Sequence, residues 1–466
     1  MGSLLSYKVL DVEVEIEDDQ IPRYIVKEPN LTPTEARILD ELMRKFYVDS
    51  KVTNMQDILS ILSDYDNLSQ ESYDKILYYI KKKFLYGPLT VPILDPDVEE
   101  IECRGFGQPL TVVHRKINKF PRIYTNITFK SEEDVINVIE LLANKSDKSV
   151  NLARPFLEFA LPEGHRVAST ISKEISLPGS TFDIRKFPFS PISSISLMKN
   201  NVFSKLFLSY IWFLLEFKPF IMIIGPTGTG KTTFLNSLLG MVNPLSKVIT
   251  IEDTPEINLA KDNWVRLFSR TSINSSFDVS LFELSKLALR YRPDYLVIGE
   301  VRGREIEALV HASASGHGSL ATFHAGTPNE AVTRISSLLT PEMAKLFLQN
   351  LWGLAVLGVR KGKDNINNRV LVSFYEAFTE KRKVKFKKVF TWKADKGLIP
   401  SSIEDLISSS YRLSFIRRTF GYSNQDVRGE LEKRLKFLEE LENSNISSSS
   451  EVSASVRKFY LGDWNA

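Results

Sequence analysis

The sequence predicts an α/β fold in its second half, built on a buried parallel sheet, with a smaller α+β unit ahead of it. Three observations lead there. Phe220–Ile224 (FIMII) is an unbroken apolar run of strand length; it leads into a glycine-rich turn and then into Phe234–Leu239, which continues as a helix. Val248–Ile251 and Tyr295–Ile298 are two further runs of this kind, each with a carboxylate at or just past its end. Strands buried on both faces lose the in–out alternation of a half-exposed strand, so such runs point to parallel strands covered by helices. Between about Val98 and Lys186 the texture is instead β-rich around one helix.

Taken in order, Val12–Ile16 alternates apolar and acidic residues, as a half-exposed strand does. Thr32-Pro33-Thr34-Glu35 opens a helix: Thr32 caps it, Pro33 fits its first turn, and Glu35 reaches back. Ile38, Leu39, Leu42 and Phe46 then mark the buried face. A second helix is expected over about Tyr73–Phe84, stopping at Gly87-Pro88; its Lys81-Lys82-Lys83 run reads as a solvated face. Ser131-Glu132-Glu133-Asp134 caps a helix that continues through Ile139 and Leu142. Strands are expected at Leu110–His114, Arg166–Ile171 and Thr181–Ile184.

Phe187–Ile195 (FPFSPISSI), with its two prolines and three serines, reads as an interdomain linker. A helix near Phe203–Phe217 precedes the core. Past about Phe386 the core signals fade, and a late helix spans Ser423–Leu441, with Val427, Leu431, Leu435, Leu438 and Leu441 at helical spacing. Asn443–Ser455 is serine-rich and expected to be disordered. The expected divisions are an N-terminal helical, partner-binding region (1–95), an α+β domain (96–190), a linker (191–200), the core (201–390) and a C-terminal helical region (391–466).

Composition bounds the function. A chain of 466 residues suggests two or three domains, and its 43% apolar content suffices to bury real cores. The net charge of +3 gives no electrostatic footprint of a dedicated nucleic-acid binder. The single cysteine, Cys103, permits no intramolecular disulfide and no multi-cysteine zinc site. Met1–Asp11 lacks the cationic flank of a signal peptide, and the longest apolar region, Leu206–Ile224, is interrupted by Glu216, Lys218 and Pro219. A soluble cytoplasmic chain with no membrane span of its own is therefore expected.

The chemistry lies at the strand ends. Gly225, Pro226, Thr227, Gly228, Thr229, Gly230, Lys231, Thr232 and Thr233 match the phosphate-loop pattern G-x-x-x-x-G-K-[ST], between a predicted strand and a predicted helix as that pattern requires. Glycines let backbone N–H groups close on phosphates, Lys231 reaches the β- and γ-phosphates, and the Thr232 hydroxyl suits Mg²⁺. ATP and Mg²⁺ are the cofactors this implies. Glu252 and Asp253 emerge at the end of the second strand, with Glu256 following, and Glu300 stands just past the third, before Arg302. Ligands of open α/β sheets bind beyond the carboxyl ends of the strands. Glu300 is thus placed to hold a metal-bound water or to polarise the attacking one, with Glu252 as its rival. A more usual phosphate-loop enzyme has aspartate where Gly299 stands. Of five histidines, His311, His317 and His324 lie close together. An apolar strand separates His317 from His324, and His324 is expected to sense the γ-phosphate.

Together these segments resemble the type II/type IV secretion ATPase superfamily, whose members drive pilus assembly, protein export and the archaellum. The resemblance covers about Pro88 to Glu376. Gly225–Thr233 looks like the family's Walker A motif, Thr250–Glu256 (TIEDTPE) like its aspartate box, Leu289–Glu305 like its atypical Walker B motif with Gly-Glu, and Gly316–Ala325 like its histidine box. Ile101–Gly105, Leu161–Val167 and Phe182–Phe187 resemble the archaeal-type branch, and the missing four-cysteine zinc module agrees with an archaeal or tight-adherence type. The resemblance implies a RecA-like core joined to a PAS-like N-terminal domain and assembled as a homo-hexameric ring. It implies that Arg166 and Arg185 are the arginines brought to the phosphates of an interface site. The implied partners are a polytopic membrane platform protein and, indirectly, pilin-like subunits, with the ring peripheral at the inner face of the cell membrane. The implied activity is hydrolysis of ATP to ADP and phosphate coupled to mechanical work. A nucleic-acid-translocating, conjugation-type ATPase is the alternative, and a monomeric small-molecule kinase a second rival. Near-neutral charge speaks against direct nucleic-acid contact.

Overall fold

A computed structural model describes residues 2–10, 12–18, 20–48, 55–63, 65, 68–117, 120–187, 191–270, 278–361, 367–380 and 383–462. The chain divides into two compact units, Met1–Phe189 and Ser190–Ala466. Residues 188–190 of the FPFSPISSI segment lie outside the described residues.

The first unit carries strands β1 (Gly2–Val9), β2 (Val12–Asp18), β3 (Arg23–Lys27), β4 (Val98–Cys103), β5 (Pro109–His114), β6 (Ile123–Thr128), β7 (Phe156–Ala160), β8 (Arg166–Thr170) and β9 (Thr181–Arg185). They form one sheet in the order β1-β2-β3-β6-β5-β4-β9-β8-β7. The N-terminal strands, expected in a separate region ending near residue 95, thus extend the sheet of the β-rich part. The physical reason is visible in β2: Val12, Val14 and Ile16 are buried on one face, and a three-stranded ribbon alone could not cover them. The helix Glu132–Asn144, closed by a Ser131–Asp134 capping box, buries Val135, Ile139 and Leu142 in the same core. Helix Pro33–Val48 begins at the Thr32 cap, where Glu35 Oε2 accepts the Thr32 N–H at 2.6 Å. With helices Met55–Ser63 and Gln70–Phe84 it encloses a small cluster of Leu42, Leu62, Ile76 and Ile80.

The second unit holds β10 (Phe220–Ile224), β11 (Val248–Glu252), β12 (Trp264–Phe268), β13 (Tyr295–Ile298), β14 (Gly318–Phe323), β15 (Leu351–Lys361), β16 (Asn367–Glu380), β17 (Lys383–Lys393) and β18 (Gly397–Ile399). Their order is β12-β11-β13-β14-β10-β15-β16-β17-β18. The ladder is parallel from β12 to β15 and antiparallel from β15 to β18. Burial explains the unbroken apolar runs. In β10, Ile221 and Ile223 belong to one core and Phe220, Met222 and Ile224 to the other, so both faces are covered.

The C-terminal part is integral to this unit. Strands β17 and β18 continue the sheet beyond Phe386. Helix Asn424–Asn443 packs on helix Lys205–Leu215, whose Ser209 hydroxyl donates to Leu431 O at 2.8 Å. The serine-rich tail, expected to be disordered, forms helix Ser449–Leu461 instead. Ser448 and Glu451 make a capping box at its start, and Val452, Val456 and Phe459 are buried, with Phe459 4.6 Å from the Trp212 ring. Serine there supplies a cap rather than low complexity. Among the described residues no helix is long and apolar enough to cross a membrane.

Candidate active site

The phosphate loop leaves the carboxyl end of β10, the middle strand of the nine-stranded sheet. Gly225 is required by crowding: a Cβ there would lie 2.7 Å from Leu357 O and 2.8 Å from Thr229 Oγ1. Gly228 and Gly230 take φ values of +76° and +84°, which glycine adopts without steric cost. Gly230 caps helix Lys231–Leu239, and Thr232 and Thr233 sit half-buried in its first turn. Pro226 O accepts from Thr229 Oγ1 at 2.8 Å and from Lys231 Nζ at 3.0 Å. Thr227 is exposed at the loop tip. The described residues offer the Thr232 hydroxyl no hydrogen-bond partner.

Two neighbouring strands converge on Lys231. His324, just past β14, places Nδ1 at 3.3 Å from Lys231 Nζ and 3.4 Å from Thr227 Oγ1. Its Nε2 lies 2.8 Å from Glu300 Oε1. Burial, with Lys231, Arg302 and Arg334 adding to it, holds His324 below its ordinary pKa against the pull of Glu300. The ring is therefore neutral at pH 7, and its single proton belongs on Nε2, facing the carboxylate. Lys231 donates to the free lone pair at Nδ1. Burial also lowers the Lys231 pKa, with Glu300 and Glu256 opposing. Glu300 Oε2 accepts from Arg302 at 2.6 Å, and Arg302 also reaches Asp253 Oδ2 at 3.6 Å. Lys231, His324, Glu300, Arg302 and Asp253 thus form one chain of polar contacts across the ends of β10, β14, β13 and β11.

Glu252 is differently placed. It is 3% exposed; its Oε1 accepts the backbone N–H groups of Glu256 and Ile257 at 2.9 and 2.8 Å, and its Oε2 is buried with no partner among the described residues. It anchors the loop after β11. It also accounts for Gly299, since a Cβ at that position would lie 3.0 Å from Glu252 Cγ. An aspartate at 299 would require the Glu252 side chain to give way by a few tenths of an ångström.

Burial pushes the Glu252 carboxyl up to about 7, with the two amide hydrogen bonds opposing. A raised folded pKa means that this group's stabilising contribution is complete below the unfolded value of 4.5 and is lost as pH rises through about 7. Glu252→Gln keeps an oxygen for the two amides and removes the titration. The variant should gain on the parent by roughly 1–3 kcal/mol between pH 5 and pH 8. Urea unfolding of both proteins at the two pH values measures this, and a pH-independent difference would refute the assignment.

Within the second unit, His317 and His311 stand away from this cluster. His317 stands at the opposite end of β14 from His324, beside Asp294; six residues of strand put it about 20 Å away. His311 is exposed on helix Ile306–Ala314. Arg166 and Arg185 belong to the first unit, where they are register partners on β8 and β9 and both exposed. Arg166 pairs with Glu158 at 2.8 Å. Supporting residues that sequence reasoning overlooked are Glu305, Thr322 and Arg334. Buried Glu305 accepts the N–H of Gly303 at 2.7 Å and that of Arg302, shaping the turn after Glu300. Thr322 Oγ1 donates to Gly299 O at 2.6 Å, and Arg334 donates to His324 O. Glu305 and Thr322 lie in quoted boxes and Arg334 in the helix that follows the last of them, but only the fold shows which backbone group each holds.

A glycine-rich loop at the carboxyl end of a central parallel strand, with carboxylates from its neighbours, defines a phosphate-loop nucleotide-binding fold. The chain belongs to the type II/IV secretion system protein family, whose match spans residues 116–357. Protein MJ0900 of Methanocaldococcus jannaschii is 31% identical over 443 residues, which cover 92% of this chain and 79% of that one. Conjugal transfer protein TrbB of Rhizobium radiobacter is 30% identical over 224 residues, 47% of this chain and 67% of its own length. The X-ray structure of the Legionella pneumophila ATPase DotB is 15% identical, with a TM-score of 0.47, covering 82% of this chain and 96% of that one.

Proposed function

We propose that the chain is a Mg²⁺-dependent ATPase that works as a homo-hexameric ring and converts hydrolysis into work on a type IV pilus-like filament or a secretion apparatus. The observation that carries this reading is the Lys231–His324–Glu300 contact chain at the mouth of the phosphate loop. Without nucleotide, Lys231 is satisfied by His324 and Pro226 O. A γ-phosphate offers it a stronger, charge-assisted partner. Lys231 then leaves Nδ1, and His324 and Glu300 are freed to respond to the phosphate and to the attacking water. Glu300 is the carboxylate that polarises this water, because Glu252 is committed to its own loop.

The oxygen donors present, the unpartnered Thr232 hydroxyl and the Glu300 carboxylate, fit a hard divalent cation. Thr232 and Glu300 would hold Mg²⁺, which supplies charge neutralisation at the phosphates. Arg166 and Arg185, exposed on adjacent strands, act on the phosphates of a neighbouring subunit, and closure of the first unit provides the stroke. The ring docks at the inner face of the cell membrane through a platform protein.

The conjugal-transfer relatives favour a second reading, translocation of nucleic acid. Turnover per chain, followed across chain concentrations with and without single-stranded DNA, separates the two. A pilus or secretion motor gains activity with concentration and ignores the DNA; DNA-stimulated turnover supports the translocase.

A further inference from the structure

Strand β15 outruns the sheet beside the phosphate loop. Its Val356 pairs with Ile224, the last residue of β10, and the strand continues to Lys361. Those five further residues carry the β15–β16 ribbon about 15 Å past the loop's root. Val359 lies opposite Arg369 on this ribbon. Arg369 shares its face of β16 with Leu371, two residues on, which is buried in the same core as Phe234 and Leu235 of the phosphate-loop helix. The arginine therefore stands on the side of the sheet where that helix begins. Its Cδ lies 3.8 Å from the point that a Cβ on Gly230 would occupy, so the stem crosses the loop at its junction with the helix. Arg369 is exposed, and no carboxylate or carbonyl bonds its guanidinium among the described residues.

We propose that Arg369 is a nucleotide-binding residue of the same subunit, its guanidinium contacting a phosphate that ATP and ADP share. This rests on the nucleotide-site reading above. The chemistry follows from position. The backbone N–H groups of such a loop cradle the α- and β-phosphates, whereas its lysine serves the β- and γ-phosphates. A cation beside Gly230 is on the α/β side, opposite in role to Lys231. Planar, bidentate donors suit phosphate oxygens. Because the contacted phosphate is present before and after hydrolysis, the interaction is uniform binding: it sets affinity and ADP retention and leaves the chemical step alone.

The test compares the full-length parent, Arg369→Ala, Arg369→Lys and Lys231→Ala for binding of ATP, ADP and inorganic tripolyphosphate by calorimetry. Arg369→Ala should weaken all three about 10- to 100-fold, as for loss of a charged hydrogen bond. Arg369→Lys should recover part of the loss, and in turnover assays the effect should fall on KM rather than on kcat. If Lys231→Ala abolishes binding while Arg369→Ala binds all three ligands as the parent does, the assignment is wrong and the nucleotide site stands. A loss for ATP and ADP but not for tripolyphosphate also overturns it, since that marks a contact with the base. A parent that binds none of the three removes the nucleotide-site reading itself.

Discussion

Lys231→Ala will lose ATP binding and turnover together. The lysine is 6% exposed and anchored by Pro226 O and His324, so its charge is held at the mouth of the loop rather than free in solvent. Of the other cations described there, Arg302 is already engaged by Glu300 and Asp253, and Arg369 is assigned above to a phosphate that ADP retains, so neither replaces Lys231 at the γ-phosphate. A preorganised cation on a transferring phosphoryl group contributes about 10²–10³ or more in rate when removed. Phosphate release should therefore fall to background, while circular dichroism and urea unfolding stay close to the parent. The fold has no need of the charge: removing a buried ammonium relieves burial that already lowers its pKa. Near-parental phosphate release would remove the ATPase assignment.

Glu300→Gln should separate binding from chemistry. The substitution keeps the volume and the oxygen that Arg302 contacts, and it replaces the carboxylate facing His324 Nε2. ATP affinity should stay within about threefold of the parent, since Glu300 repels the γ-phosphate as much as it orders its surroundings. Turnover should fall by roughly 10²–10⁴, the range for losing a positioned general base. Equilibrium binding together with phosphate release under saturating ATP measures both quantities. Should Glu252→Gln show this phenotype while Glu300→Gln does not, the two carboxylates have exchanged roles.

Much of this site could be read along the chain because its parts are local. The phosphate loop needs glycines at fixed offsets, and the flanking FIMII run and helix are contiguous with it. The carboxylates follow their strands directly. Helix starts were equally plain, since Thr32, Ser131 and Ser423 cap within a turn of the helices they open. What escaped was set by distant pairing. Residues 2–27 read as an appendage because no local signal shows that β3 pairs with β6. The tail serines read as disorder, because a cap and a low-complexity segment share a composition; what distinguishes them is Phe459 meeting Trp212. Arg369 could not be found at all by spacing, since only the β15–β16 ribbon brings it to Gly230.

The assembly itself is tested by mixing two dead subunits. Arg185→Ala keeps the phosphate loop and lacks an arginine that the proposal places on a neighbour's phosphates; Lys231→Ala keeps that arginine and lacks the loop's lysine. Each alone should lose turnover, by up to about 10³–10⁵ if the arginine acts as those supplied in trans do. In a mixed ring some interfaces carry both an intact loop and an intact arginine, and others carry neither. Phosphate release should therefore recover in part, and it should peak near equal proportions of the two variants. Turnover that stays at background in mixtures shown by native mass spectrometry to contain hybrid hexamers would contradict a site completed between subunits.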